Sequence, residues 1–266
     1  MPKIAKIEIV FWEQAYEADI ADFLLELGEQ LIVKYDNVSD LGKVISLSEI
    51  SDSEYSAKNS SFAKIIRKVT TEDLESYSEL KKQRLQAIEY CKKAVEQYKL
   101  PMKIINAHFS FDGSRLVFPF IADGRVDFRQ LVKDLTNYFH KSIRLQQIGI
   151  RDEARISGDF GSCGRTLCCK THLKELESIT SDLADMQKIS HRGSDRLSGI
   201  CGRLRCCLAF ERNVYEEAAK KFPPIGTMVK TKQGRGKILS WNILKNSVEV
   251  MLENKEGGII EVVLKK

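Results

Sequence analysis

Apolar positions along the chain change period several times, and each change marks an element. Residues 4–11 (Ile-Ala-Lys-Ile-Glu-Ile-Val-Phe) carry the β-branched, apolar-rich pattern of a strand. Gln30–Tyr35 and Leu41–Leu47 read the same way, with Asp36-Asn37 as turn residues between them. Together they predict a small antiparallel sheet or barrel, with Gly42 at a bulge or tight bend. Ser51–Ser61 is polar and serine-rich and reads as a loop or linker. From Thr70 to Tyr98 the period becomes helical. Thr70 caps the segment with Asp73 three residues on, and Pro101 follows its end. Leu85, Ile88, Val95 and Tyr98 share the apolar face, and Cys91 on that face is assigned to the core.

Residues 102–150 read strand, turn, strand, helix, strand. Ile104–Phe109 and Leu116–Ile121 flank the hairpin signal Asp112-Gly113. Phe128, Leu131, Leu135 and Phe139 recur at helical spacing within Val126–Phe139, and Ser142–Ile148 returns as a strand. Leu173–Ile189 is helical in part, with Leu176, Ile179, Leu183 and Met186 inward, and Val214–Phe222 is a short helix stopped by Pro223-Pro224. The tail carries four or five short alternating strands with glycine turns, the pattern of an SH3-like β-barrel. Gly234-x-Gly236 reads as a β-turn rather than a phosphate loop. The chain is therefore expected to be an α+β protein. A β-rich unit (1–60) and a long helical segment (61–101) precede a cysteine-rich α+β core (102–222) and a basic barrel (223–266).

Composition narrows the class. Of the 266 residues, 43% are hydrophobic and 30% charged, as in a globular chain. No apolar run approaches the ~18 residues of a membrane span, and the N-terminus has no apolar signal core, so a cytoplasmic location is expected. Thiols in that setting stay reduced, which favours metal or redox chemistry over disulfides. The net charge is +5, and residues 223–266, with eight Lys/Arg against four Glu, hold +4 of it. That basic tail suits RNA contact or a plain solvated surface equally.

Six of the seven cysteines fall in two copies of one phrase, C-G-R-x-x-C-C. Cys163, Cys168 and Cys169 form the first; Cys201, Cys206 and Cys207 form the second, 38 residues on. The glycine permits a sharp turn that folds the first thiolate back, and the arginine places positive charge beside the thiolates. Adjacent cysteines diverge in regular structure, so each doublet predicts an irregular loop or two separate destinations. Six thiolates overfill one four-ligand site and fall short of two. One site could take four of them, two sites could borrow His172 and His191, or two sites could be completed by another protein. Spacing leaves iron–sulfur, zinc and unligated redox thiols open. No Walker loop, HExxH, G-x-S-x-G or dinucleotide fingerprint is present, so no conventional active site is expected.

Gln146–Ala154, the phrase from Cys163 and the run from Ser198 to Cys207 resemble the PSP-one C-terminal domain family. The likeness extends to Leu41-Gly-Lys-Val, Phe111-Asp-Gly, the helix from Val126 and the tail from Pro224. It implies a non-catalytic regulatory subunit joining two small helical partners, RicA (YmcA)-like and RicF (YlbF)-like proteins. The complex would hold an iron–sulfur cluster of the 4Fe-4S type, with a flavin (FAD) also associated. It would direct the membrane-anchored endoribonuclease RNase Y in mRNA processing, affecting sporulation, competence and biofilm formation. Cys163, Cys168, Cys169, Cys201, Cys206 and Cys207 are the implied ligands. Zinc in a nucleic-acid-binding protein is the alternative. Two positions depart from the family pattern: Ser162 replaces a common proline, and Arg205 stands where an apolar residue is usual.

Overall fold

A computed structural model describes residues 2–20, 23–58, 61–173, 178–253 and 258–264. It divides into two compact units, residues 1–156 and 157–266.

The first unit holds two sheets. Strands β1 (Lys3–Glu8), β2 (Tyr16–Asp19), β3 (Gln30–Tyr35), β4 (Val38–Glu49) and β5 (Lys64–Lys68) pair antiparallel in the order β2-β1-β4-β3-β5. Asp36 and Asn37 turn between β3 and β4 with left-handed backbone, as their short polar side chains allow. Ala5, Ile7, Leu31, Val33 and Val44 fill the core on one side of this sheet. Gly42 lies at no bulge. It pairs regularly with Leu31, and a Cβ there would meet Ile7 Cγ2 at 2.3 Å. The register shift falls instead where Lys6 pairs with Ser46 and Ile7 with Val44, which leaves Ile45 unpaired. Ser51–Ser61 also departs from the loop reading, since Asp52–Lys58 forms helix α1 with Asp52 and Glu54 in its first turn. Strand β5 has a single buried side chain, Ile65, so its sequence carries no alternation to read.

Helix α2 (Thr71–Gln97) is closed by the expected capping box. The Thr70 hydroxyl accepts from the Asp73 N–H, and the Asp73 carboxylate accepts from the Thr70 N–H. Arg67 donates to the same carboxylate, at 2.8 Å through Nη2, and these bonds hold the Asp73 carboxyl well below the usual carboxylate range. Ala87, Cys91, Ala94 and Val95 are buried, whereas Leu85 is 65% exposed and does not belong to the apolar face. Cys91 is core, as expected, and burial pushes its thiol up to about 12.

α2 packs on a second sheet. Strands β6 (Lys103–Ile104) and β7 (His108–Phe109) both pair with β8 (Arg115–Ile121). The expected strand from Ile104 to Phe109 is thus broken around Asn106, whose side-chain oxygen accepts from the Ala107 N–H at 2.9 Å. Helix α3 (Arg129–Phe139) crosses over to β9 (Ser142–Gln147), which runs parallel to β8. Leu116, Phe118, Leu131 and Leu135 meet in the core between them. Helix α4 (Ile150–Ser157) ends the unit.

In the second unit, of the expected helix from Leu173 to Ile189, residues 174–177 lie outside the described residues, and among the others α5 (Ser181–Met186) is helical. Leu183 is buried and Ile179 partly so, while Leu176 lies outside the described residues. Short helices α6 (Ser194–Leu197) and α7 (Cys206–Phe210) follow, then α8 (Arg212–Ala219). The tail forms four strands, β10 (Met228–Thr231), β11 (Gly234–Asn242), β12 (Ser247–Leu252) and β13 (Ile259–Val263), paired antiparallel in chain order. No pairing that would close this meander into a barrel is present among the described residues. Gly234 pairs with Thr231 across the β10–β11 hairpin turn, in keeping with the turn reading.

Candidate metal centre

The two cysteine phrases fold as two copies of one motif. In the first, Phe160 and Thr166 form an antiparallel bridge, the Gly161 N–H donates to the Arg165 carbonyl at 2.7 Å, and the Gly164 N–H donates to the Gly161 carbonyl at 2.9 Å. In the second, Ser198 bridges Leu204, Gly199 donates to Arg203 at 2.8 Å, and Gly202 donates to Gly199 at 2.9 Å. Every bond recurs at the same offset. This is a three-residue hairpin loop, a tight turn followed by a left-handed residue. Gly164 and Gly202 fill that position with φ of 76° and 72°. An added Cβ would meet nothing within 4 Å at either, so backbone conformation, not space, selects glycine there.

The hairpin places the first cysteine of each phrase at its tip. Cys163 Sγ lies 3.5 Å from where a Gly161 Cβ would stand, and Cys201 Sγ lies 3.8 Å from the equivalent point on Gly199. The first thiol therefore folds back over the base of its own turn. A helical turn follows each hairpin: Lys170 donates to Leu167 at 3.0 Å, and Leu208 donates to Arg205 at 3.1 Å. The second doublet opens helix α7 and is not the irregular loop that adjacent cysteines suggested. Successive side chains on a helical turn diverge by ~100°, which separates the members of each doublet. Cys169 is buried, Cys168 and Cys206 are half-buried, and Cys207 is exposed.

The phrases meet across 39 positions of sequence. The His172 ring packs edge-on to Phe210 at 5.8 Å between centroids, and the Cys168 thiolate acts on Cys207. The Cys207 thiol is pushed up, mainly by burial, with Glu211 and Cys168 adding to it; Arg205 opposes the shift and loses. Arg205 does act to lower this thiol, as a neighbouring arginine should, but burial outweighs it. Arg205 also ties the motif, its Nε donating to the Ser198 carbonyl at 3.1 Å. The contact from His172 to Phe210 was missed in the sequence. Its only signal there is that Phe210 stands one helical turn beyond Cys206.

Six thiols are the donor type that soft metals take. Yet among the described residues no three His, Cys, Asp or Glu side chains come together closely enough to hold a metal ion. An electrostatic interaction between Cys168 and Cys207 links the two motifs. His172 and His191 are exposed, and His172 is engaged with Thr171 Oγ1 at 3.1 Å. The chain presents thiols in the right chemistry and an incomplete set at any one point.

Comparison with known proteins fixes the family. Residues 63–148 match the family model "PSP1 C-terminal conserved region", spanning β5 through β9. Residues 178–222 match "PSP1-like protein, third domain", which includes the second cysteine phrase. Stage 0 sporulation protein YaaT of Bacillus subtilis is 44% identical over 196 residues, 74% of this chain and 71% of that protein. The chain belongs to the PSP1 family. Within this family, Protein PSP1 of Saccharomyces cerevisiae is 45% identical over 47 residues, only 6% of its length. An uncharacterized protein of Schizosaccharomyces pombe is 28% identical over 153 residues, 20% of its length. No solved structure matches the chain. The first cysteine phrase falls between the two matched segments. No helix among the described residues is long and apolar enough to cross a membrane.

Proposed function

We propose that this PSP1-family chain is a non-catalytic regulatory subunit that supplies part of the ligand set of an iron–sulfur cluster. It acts in a complex that directs the endoribonuclease RNase Y in mRNA processing and decay. The observation that carries the reading is the duplicated thiol motif with an incomplete donor set at each point. A self-sufficient centre would gather four ligands within one chain. Two hairpins that each offer an exposed or half-buried thiol suit a cluster completed by other subunits. RicA-like and RicF-like helical proteins are the proposed partners. The relative named as a stage 0 sporulation protein supports a regulatory role in sporulation, and competence and biofilm formation would be affected through the same complex. Cys163, Cys168, Cys169, Cys201, Cys206 and Cys207 are the proposed ligands; a bound cluster of the 4Fe-4S type would supply redox-sensitive assembly, and FAD would belong to the complex. The protein acts in the cytoplasm, and its tail sheet would be completed as an SH3-like barrel. Anaerobic purification with iron and acid-labile sulfide analysis tests the reading. Stoichiometric zinc without iron would refute it.

A second reading has its own observation. Lys230, Lys232, Arg235 and Lys237 stand on the β10–β11 hairpin, and none makes a salt bridge among the described residues. Lys230 pairs directly with Arg235, and Lys237 with Met228, so these three share one face. In a zinc-bearing nucleic-acid-binding protein this face would contact phosphates. Binding of single-stranded RNA should then weaken steeply with salt, and Arg235→Ala with Lys237→Ala should lower the salt slope by about 1 per charge removed. RNA binding without salt dependence would remove this reading.

A further inference from the structure

The first unit contains a cavity of about 330 Å³ that the cysteine chemistry does not use. It lies within one compact unit, among the loop after β1, Leu41 of β4, α2, the β6–β7 segment and Ile156 of α4. Its size is at the lower end of small-molecule sites. Phe11, Trp12 and Tyr77 line it beside the buried ring of Phe109. Phe11 and Trp12 stand at 82° to each other with centroids 5.2 Å apart, so two aromatic walls meet at a right angle. Such a corner accepts a flat ring, face to one wall and edge to the other.

The polar lining has one sign. Arg84 at the rim is the only charged residue among those lining the cavity, and it makes no salt bridge among the described residues. A second guanidinium, that of Arg155, lies 4.2 Å from the ring centroid of Phe11. The side-chain oxygen of Asn106 is used by the Ala107 N–H, which leaves its amide nitrogen as a free donor. Asp40, which holds the lining His108, is fully buried with its oxygens engaged by Tyr35, His108 and the N–H groups of Leu41 and Phe111, and Glu13, next to the lining Trp12 in the chain, pairs with Arg144 at 3.7 Å. His108 in turn sits within reach of the Tyr77 hydroxyl at 3.4 Å. This chain of bonds fixes two lining rings, Tyr77 and His108, before any ligand arrives.

We propose that this cavity binds a planar aromatic anion of mononucleotide size, the ring in the Phe11–Trp12 corner and the phosphate at Arg84. Free donors, cationic rim and aromatic walls all select that chemistry, and no lining carboxylate opposes it. The same chemistry could come from a free nucleotide or from the phosphorylated end of an RNA strand. The site does not depend on the cysteine motifs, so it stands or falls apart from the cluster reading.

Isothermal titration of the metal-free full chain tests it, with AMP, adenosine, inorganic phosphate and a 5′-phosphorylated oligoribonucleotide as probes. AMP should bind saturably and at least about tenfold more tightly than adenosine or phosphate alone. Arg84→Ala should weaken AMP about tenfold and leave adenosine unchanged, and Asn106→Ala should weaken both. Arg84 is exposed, so its removal leaves the fold intact. Oligonucleotide binding as tight as that of AMP assigns the site to RNA ends; exclusion of the oligonucleotide assigns it to free nucleotide. No saturable AMP binding, or binding indifferent to Arg84→Ala, would overturn the proposal.

Discussion

Replacing the turn glycines of the cysteine motifs by alanine isolates what holds the thiols in place. Gly164 and Gly202 have left-handed backbone, and a methyl group at either meets nothing within 4 Å. The penalty is then conformational alone, about 1–2 kcal/mol per site. For a domain of roughly 100 residues each kcal/mol lowers the melting temperature by about 4–8 °C, so each position should lose about 4–16 °C. The two hairpins share no backbone hydrogen bond, so the double variant should lose the sum. Asparagine tolerates this backbone region, so Gly164→Asn should recover part of the loss. Gly42→Ala makes the contrasting case. Its methyl collides with Ile7 Cγ2, the cost is overpacking of about 1–3 kcal/mol, and asparagine would worsen it. Calorimetry of the full chain reads all of these. If Gly164→Ala were neutral, or Asn were no better than Ala there, the hairpin-turn reading of the motif would be wrong.

Other outcomes follow from single groups. Asp40→Ala strands His108, the Tyr35 hydroxyl and two backbone N–H groups, and should cost about 3–5 kcal/mol in chemical denaturation; a loss below about 1 kcal/mol would contradict the bonding described. Cys91, buried with its thiol pushed up to about 12, should react with a disulfide reagent only after unfolding, while the exposed Cys163 reacts in the native chain. The Glu249 and Glu261 carboxyls are held low, chiefly by Ser240 and Ser247 respectively. A depressed carboxyl contributes stability above its unfolded value and loses it as pH falls through the folded one. Ser240→Ala and Ser247→Ala should therefore narrow the stability difference between neutral and acid solution, measured by urea denaturation across pH.

Local chemistry was legible in the sequence wherever one short segment decides the structure. Thr70 with Asp73 specifies the start of α2, and Asp112-Gly113 specifies the loop between β7 and β8. Gln30–Tyr35 is a strand at the bounds its pattern gives. The segments that escaped are those stabilised from outside. Helix α1 has no apolar periodicity, and Tyr55 anchors it through a 2.6 Å bond to Asp19, 36 residues away. Strand β5 exists because β3 offers an unpaired edge. In the candidate centre, repetition of the cysteine phrase exposed the donors, and the turn glycines exposed the hairpin. That Cys168 and Cys207 interact, and that His172 packs edge-on to Phe210, depends on packing between segments far apart in the chain. The pairing of Asp40 with His108 spans 68 residues and has no local signature at all.

The central claim is that these thiols form part of a cluster that other subunits complete. Anaerobic reconstitution with iron and sulfide, followed by Mössbauer spectroscopy, reads it most directly on the chain alone and on the chain mixed with the proposed RicA-like and RicF-like partners. The account predicts little or labile iron in the chain alone and a full cluster signal in the mixture, lost on Cys→Ser change at Cys168 or Cys207. A complete cluster in the isolated chain, or stoichiometric zinc with no iron in both samples, would contradict it.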